Sequence, residues 1–173
     1  MKKLRVLVTG ATGMVGEGVM HQCLQHESVG EVVIINRRTS GYAHPKLTEI
    51  LLPDFFVLDA IRPLLAGFDA CYFCLGVSSV GMNEADFTRQ TYELTMGFAR
   101  ALLQASPQAD FCYISGAGTD TTEKGRLMWA RVKGKTENDL HQLGFRKAYA
   151  FRPGIIIPIK GLTRTLKAYK YMG

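Results

Sequence analysis

The chain has 173 residues, of which 47% are hydrophobic and 21% charged, and its formal net charge is +6. These values are typical of one soluble globular domain with a substantial core. No run of eighteen apolar residues occurs, and the apolar run at residues 4–8 is too short for a signal peptide. The sequence therefore predicts a cytoplasmic protein without a membrane span.

Apolar, strand-like runs alternate with segments of helical periodicity. We predict helices over residues 15–25, 58–66, 84–105 and 124–143. The predicted strands are residues 5–8, 31–36, 46–52, 68–75, 110–114 and 147–151. Continuous hydrophobic strands that alternate with helices indicate an α/β protein, in which helices cover both faces of a parallel sheet. Right-handed crossovers then give a doubly wound sheet with the strand order 3-2-1-4-5-6.

Three glycines, Gly10, Gly13 and Gly16, lie between the first strand and the first helix. A glycine at 10 permits the sharp turn, one at 13 lets a pyrophosphate approach the backbone, and one at 16 lets the helix pack closely. The free N–H groups of the helix N-terminus would bind the phosphates. In this context the GxxGxxG spacing predicts a dinucleotide site, and the alternative is a glycine-rich turn without a ligand.

In a doubly wound sheet, ligands bind at the carboxyl ends of the strands. Arg37 and Arg38 follow the second strand, where NAD-binding proteins usually carry an acid. Guanidinium groups pair with phosphate, so we predict a preference for NADP(H), with NAD(H) as the second choice; the alternative is that both arginines are simply exposed. Asp54, after the third strand, either accepts a hydrogen bond from the adenine amino group or caps a helix.

The other strand ends carry small or rigid residues. Leu75 ends the fourth predicted strand and Gly76 follows it, and Gly76 would let the backbone pass close to the cofactor ribose. Ser115 follows the fifth strand, where its hydroxyl could polarise a carbonyl beside the nicotinamide. Pro153 and Gly154 form a turn after the sixth strand, and their backbone could contact the nicotinamide.

A set of motifs covers nearly the whole chain in order: Val8 to Gly16, Asn36-Arg37-Arg38, Asp54-Phe55, Cys74-Leu75-Gly76, Ser115 with Gly118 and Asp120, Val132-Lys133-Gly134, and Phe151-Arg152-Pro153-Gly154. Together they resemble the short-chain dehydrogenase/reductase superfamily in its atypical or extended branch, which has the NAD(P)-binding Rossmann fold, and within it the Tat-interacting-protein-like oxidoreductases. The resemblance implies that the 2′-phosphate is bound by Arg37 and Arg38 and the adenine by Asp54. It also implies that the first loop holds the cofactor through Gly10, Thr12, Gly13, Met14, Val15 and Gly16.

That superfamily uses a Tyr-x-x-x-Lys pair and an upstream serine, in which the tyrosine is the general acid and the lysine holds the nicotinamide ribose. Ser115 and Lys133 match this pattern, whereas Trp129 occupies the tyrosine position. An indole N–H donates a hydrogen bond but exchanges no proton near neutral pH, so the general acid is missing from its usual place. Tyr113 and Tyr92 are remote substitutes.

Two functions are therefore open. The first is an NADP(H)-dependent reductase of a small carbonyl or quinone, or an epimerase-like enzyme. The second is a catalytically lapsed, nucleotide-binding regulator or assembly partner. The glycine loop supports both, Ser115 and Lys133 favour the enzyme, and Trp129 favours the regulator.

Residues 155–173 are interpreted as the start of a short or incomplete C-terminal substrate lobe on a single domain of residues 1–173, with a strand-like run at 155–159. Residues 160–173 contain four basic and no acidic residues. We predict a solvated helix face there, and contact with a membrane surface is the alternative. No basic–aromatic interleaving indicates a nucleic-acid partner, and no HExxH or Cys–His motif indicates a metal.

Cys71 and Cys74 resemble a CxxC pair but lie in a predicted strand. Residues i and i+3 of a strand point to opposite faces, and a redox pair would need a helix N-terminus. We therefore predict buried, reduced thiols.

Overall fold

A computed structural model describes residues 2–157. In this part of the chain, parallel strands form one six-stranded sheet in the order β3-β2-β1-β4-β5-β6, which confirms the predicted topology. The strands are β1 (Leu4–Thr9), β2 (Val29–Asn36), β3 (Leu47–Leu51), β4 (Ala70–Phe73), β5 (Asp110–Ile114) and β6 (Lys147–Phe151).

The helices lie between the strands, as predicted. They are α1 (Met14–Gln25), a 3₁₀ helix (Arg62–Leu65), α2 (Glu84–Thr88), a π-helical turn (Arg89–Glu93), α3 (Leu94–Ala105) and α4 (Met128–Gln142). The segments α2, π-helical turn and α3 follow each other directly and together occupy the predicted long helix 84–105. No helix of residues 2–157 is long and apolar enough to cross a membrane.

Some predicted bounds were wrong. The helix predicted at 124–143 begins only at Met128, because the Asp120 carboxylate accepts hydrogen bonds from the N–H groups of Lys124 and Gly125 at 3.1 and 2.7 Å and holds that stretch in a turn. The strand predicted at 68–75 is shorter, and the helix predicted at 58–66 is reduced to a 3₁₀ helix. Residues 155–157 form no strand, and the rest of the predicted C-terminal lobe lies outside the described residues.

Side chains of successive strand residues point to opposite faces of the sheet and form two clusters. Leu7 and Cys71 belong to one cluster, whereas Val8 belongs to the other and Cys74 packs against it. The predicted opposition of Cys71 and Cys74 is therefore confirmed, and all four cysteines are free. Burial raises the pKa of Cys74 to about 12 and that of Cys23 to about 11, so these thiols are protonated at neutral pH.

Candidate functional site

The glycine loop joins β1 to α1 at the carboxyl end of the sheet. Gly10 has a φ of +70°, and a Cβ there would lie 2.9 Å from the carbonyl oxygen of Cys74. A Cβ at Gly16 would lie only 2.2 Å from the carbonyl oxygen of Gly10. Both positions therefore require glycine for the fold itself, one for the turn and one for the close packing of the helix.

Gly13 differs, because the fold leaves room for a side chain there. It is the N-cap of α1, it is exposed, and a Cβ would meet only the Gly10 carbonyl oxygen at 3.4 Å. No side chain caps the helix, so its first N–H groups remain available. A helix N-terminus with bare backbone in front of it fits a pyrophosphate, and this is the observation that matches the loop to a dinucleotide.

Gly13→Val is expected to abolish binding of NADPH while the protein stays folded. The branched side chain would fill the space in front of the helix N-terminus, where the pyrophosphate needs to approach the backbone. Calorimetric titration and a thermal unfolding curve measure the two effects. Gly18→Ala is the matched control on the same helix, because nothing lies within 4 Å of a Cβ at that position. Full binding by the Gly13 variant would show that the loop is not the site.

A buried acid lies beneath the loop. Glu17, in the first turn of α1, is fully buried and accepts a hydrogen bond from the hydroxyl of Tyr42. The Tyr42 ring also meets His21 edge-on, with 4.9 Å between the ring centroids. These contacts fasten the segment after β2 to α1. Sequence reasoning missed them because the partners are 25 residues apart.

Arg37 and Arg38 are exposed directly after β2. Glu49 on β3 fixes the turn that carries them, since its carboxylate accepts hydrogen bonds from Asn36, Thr39 and the backbone of Ser40 at 2.8 to 2.9 Å. Burial alone would raise the pKa of Glu49, but these hydrogen bonds outweigh it and hold the pKa below its usual value. Glu49, on the strand that pairs with β2, is therefore already engaged by the protein.

A cleft of about 290 Å³ opens at Arg37. The structure brings four predicted cofactor residues together in its walls, namely Arg37, Asp54, Leu75 and Gly76. Arg89 and Phe56, which the sequence analysis did not select, line the same cleft. The interpretation of Asp54 as a helix cap is wrong, because its carboxylate accepts a hydrogen bond from the Phe56 N–H at 2.9 Å in a turn and the next helix begins only at Arg62.

The loop after β5 brings the predicted catalytic residues together. The Trp129 ring lies against this loop, where Cβ atoms at Gly118 and Gly116 would be 3.4 and 3.9 Å from it. The ammonium of Lys133, one helical turn further along α4, donates to the Ile114 carbonyl oxygen at 3.4 Å. Burial lowers the pKa of Lys133, and the nearby Glu137 carboxylate partly opposes this. Ser115 follows Ile114 directly, so serine, indole and lysine surround the end of β5.

Ser115 is buried, and its hydroxyl proton is engaged in this structure. The Ser115 and Thr119 hydroxyl oxygens are 2.9 Å apart, and the Thr119 hydroxyl donates to the Gly116 carbonyl oxygen at 2.8 Å. Because a hydroxyl has one proton, Ser115 is the donor of the pair. It would have to rotate toward a substrate before it could polarise a carbonyl.

Neither tyrosine substitutes for the missing acid. Tyr113 is buried in the core behind Lys133, whose ammonium lies 5.5 Å from the centroid of its ring, and burial raises its pKa. Tyr92 donates to the Asp139 carboxylate at 2.6 Å, and this bond raises its pKa. Tyr113 is therefore enclosed in the core and the Tyr92 hydroxyl is engaged by Asp139, and the raised pKa makes each a poor proton donor near neutral pH.

The turn after β6 closes the opposite end of the site. Its backbone is tied to the serine loop, because Ala117 N–H donates to the Pro153 carbonyl oxygen at 2.9 Å. Arg152 forms a bidentate ion pair with the buried carboxylate of Glu137 on α4. A second cleft, of about 370 Å³, lies here and is walled by Val15, Ile114, Phe151, Arg152, Pro153 and Ile156. Gly154 lies beside Ala117, because a Cβ at Gly154 would be 3.9 Å from the Ala117 methyl group.

Comparison with known proteins shows the family to which this chain belongs. Residues 6–123 match the NAD dependent epimerase/dehydratase family, and the chain belongs to this family. The curated relatives include Protein fmp52-1, mitochondrial, of Aspergillus oryzae, which is 30% identical over 166 residues covering 92% of this chain and 68% of that protein. Protein HTATIP2 of Rattus norvegicus is 25% identical over 159 residues, which cover 91% of this chain and 64% of that protein. The Tat-interacting-protein-like resemblance is thereby confirmed.

Solved structures support the fold. ADP-L-glycero-D-manno-heptose-6-epimerase of Helicobacter pylori matches with a TM-score of 0.69 and 17% identity, over 87% of this chain and 54% of that chain. UDP-glucuronic acid 4-epimerase of Bacillus cereus, solved with NAD, also has a TM-score of 0.69 and 17% identity, over 87% of this chain and 56% of that one. The chain thus spans about half of these enzymes and about two thirds of the curated relatives. The family indicates a nicotinamide-dinucleotide site; the cytoplasmic location stays a prediction.

Proposed function

We propose that the chain binds NADP(H) in preference to NAD(H) and serves as a reductase of a small carbonyl or quinone. The observation that carries the preference is the pair Arg37 and Arg38, exposed at the end of β2 beside the cleft, with Glu49 withdrawn into hydrogen bonds with the turn. Neither arginine has a carboxylate within ion-pair distance in the part of the chain that the structure describes. Two unpaired guanidinium groups favour a 2′-phosphate.

The proposed division of the site follows the two clefts. The cleft with Arg37 and Asp54 suits the adenosine end, Gly13 suits the pyrophosphate, and the cleft at Pro153 suits the nicotinamide. When bound, the cofactor supplies a hydride. Lys133 would hold the nicotinamide ribose through its ammonium, and Ser115, after rotation, would donate a hydrogen bond to the substrate carbonyl oxygen. With tryptophan at position 129, the reduced oxygen would take its proton from water. The second cleft is largely apolar, with Val15 and Phe151 in its walls, which favours an uncharged substrate.

Trp129 supports a second candidate, a nucleotide-loaded regulator without turnover. Its indole stands where the superfamily's general acid is expected and packs on the serine loop. The two functions share the cofactor site and differ in turnover. Purified protein incubated with NADPH and a panel of carbonyls and quinones separates them, since a reductase oxidises NADPH and a regulator only binds it.

Wild-type protein is expected to bind NADPH more tightly than NADH, and Arg37→Ala with Arg38→Ala is expected to remove the difference. Loss of a hydrogen bond to a charged group weakens binding by roughly 1.5–3 kcal/mol, which is about ten- to a hundred-fold in affinity. Calorimetry with both cofactors measures this. Arg62→Ala is the control, because Arg62 is an exposed arginine that pairs with Asp59 outside both clefts. Equal wild-type affinities would refute the preference.

A further inference from the structure

Arg89 and Phe56 form an unexplained pair in the wall of the adenosine cleft. The Arg89 guanidinium carbon lies 5.0 Å from the centroid of the Phe56 ring. Phe56 is 39% exposed, which is high for a phenylalanine, and both residues line the cleft with Asp54 and Arg37. An exposed aromatic ring covered by a planar cation makes a flat surface next to an open space.

The charge of Arg89 has no carboxylate partner among residues 2–157. Asp86 and Glu93 lie three and four residues away on the same helix, but neither is within ion-pair distance of Arg89. Its side chain donates no hydrogen bond in that part of the chain either, although a guanidinium carries five N–H groups. The guanidinium is therefore free to meet a ligand in the cleft.

The backbone beneath Arg89 is unusual as well. Arg89 opens the π-helical turn Arg89–Glu93, and π-helical turns inside helices are frequent at functional sites. Thr91, in the middle of this turn, is buried and its hydroxyl oxygen has no hydrogen-bond partner. Arg89 and Gln90, the first two residues of this turn, both line the cleft.

We propose that Arg89, supported by Phe56, stacks on the adenine ring and is a binding residue for both dinucleotides. This rests on the proposed dinucleotide site but not on the preference for NADP(H). A planar guanidinium stacks on a base whatever the ribose carries, whereas Arg37 and Arg38 distinguish the 2′-phosphate. The adenosine cleft would thus use one arginine for affinity and two for selectivity.

The test measures dissociation constants of NADPH and NADH for wild type, Arg89→Ala, Arg89→Lys and Phe56→Ala. Each variant is expected to weaken the binding of both cofactors by the same factor. The expected factor is about five- to ten-fold, which is at the lower end of base-stacking effects. Arg89→Lys is included because it keeps the charge but loses the planar group. Arg100→Ala is the matched control, since Arg100 is an exposed arginine of the same long helix outside the cleft walls.

Each outcome supports or overturns the stacking role of Arg89. Unchanged affinities in Arg89→Ala would overturn the proposal, and so would a loss confined to NADPH, which would assign Arg89 to the phosphate. Full binding by Arg89→Lys would show that charge rather than stacking matters, and would also overturn it. The double variant Phe56→Ala with Arg89→Ala should lose no more than either single one, because both act through one contact. Wild-type protein that binds neither dinucleotide would refute the proposed function itself.

Discussion

Gly134→Ala is expected to lower the free energy of unfolding by about 3 kcal/mol or more, the upper part of the range for overpacked positions. A Cβ at Gly134 would lie 1.8 Å from the carbonyl oxygen and 2.4 Å from the carbonyl carbon of Asp120. Both atoms are backbone, and the Asp120 N–H is itself bonded to the Ala130 carbonyl oxygen of α4 at 3.1 Å. Helix α4 would have to move away from the loop that carries Asp120. Helix propensity alone favours alanine by about 1 kcal/mol, so the clash decides the sign.

Urea unfolding measures this effect, and Gly97→Ala is its control. Gly97 lies inside α3 and nothing is within 4 Å of a Cβ there, so alanine should stabilise the protein by roughly 0.5–1 kcal/mol. Opposite signs for one substitution in two helices would confirm that α4 packs on the backbone of the Asp120 loop. Stabilisation by both variants would contradict that packing, and with it the placement of Lys133 beside the end of β5.

The fold could be predicted well because its signals are local. The bounds of β5 and β6 agree with the predicted 110–114 and 147–151, since each strand is a short apolar run between polar segments. Helix starts were harder to predict. The start of α4 depends on Asp120, whose carboxylate holds the N–H groups of Lys124 and Gly125 through contacts that helical periodicity does not reveal.

The same difference between local signals and tertiary contacts applies to the residues of the candidate site. The glycine loop and the arginines after β2 were recognisable because spacing and strand ends place them. Arg89 was not, because its partner Phe56 is 33 residues away and a π-helical turn has no sequence signature in the periodicity of the long helix. The engagement of the Ser115 hydroxyl by Thr119 also required the folded loop. Local motifs therefore reveal where a cofactor would lie, and tertiary contacts reveal which side chains remain free to act.

Trp129→Tyr is expected to raise the rate of NADPH oxidation by about 10²–10⁴-fold, the range for a well-placed general acid or base. Residues i and i+4 of a helix share a face, so the phenol would stand beside Lys133. The Lys133 ammonium, already close to the end of β5, would stabilise the phenolate and lower its pKa. The smaller tyrosine ring also fits, because the indole packs against Gly116 and Gly118 and a smaller ring leaves space there. Steady-state rates with carbonyls and quinones measure the gain.

Trp129→Phe separates the proton donor from the change in size. It removes the indole and adds no acid, so it should match the wild type in rate, while the tyrosine variant alone should gain a pH dependence from the new phenol. Equal rates in all three proteins would mean that water or another group supplies the proton. A stable NADPH complex without turnover in any of them would favour the regulator. Melting temperatures of both variants belong to the same experiment, because the indole also packs on the serine loop. A fall shared by both would trace to lost packing, whereas a rate gain confined to the tyrosine variant could come only from its hydroxyl.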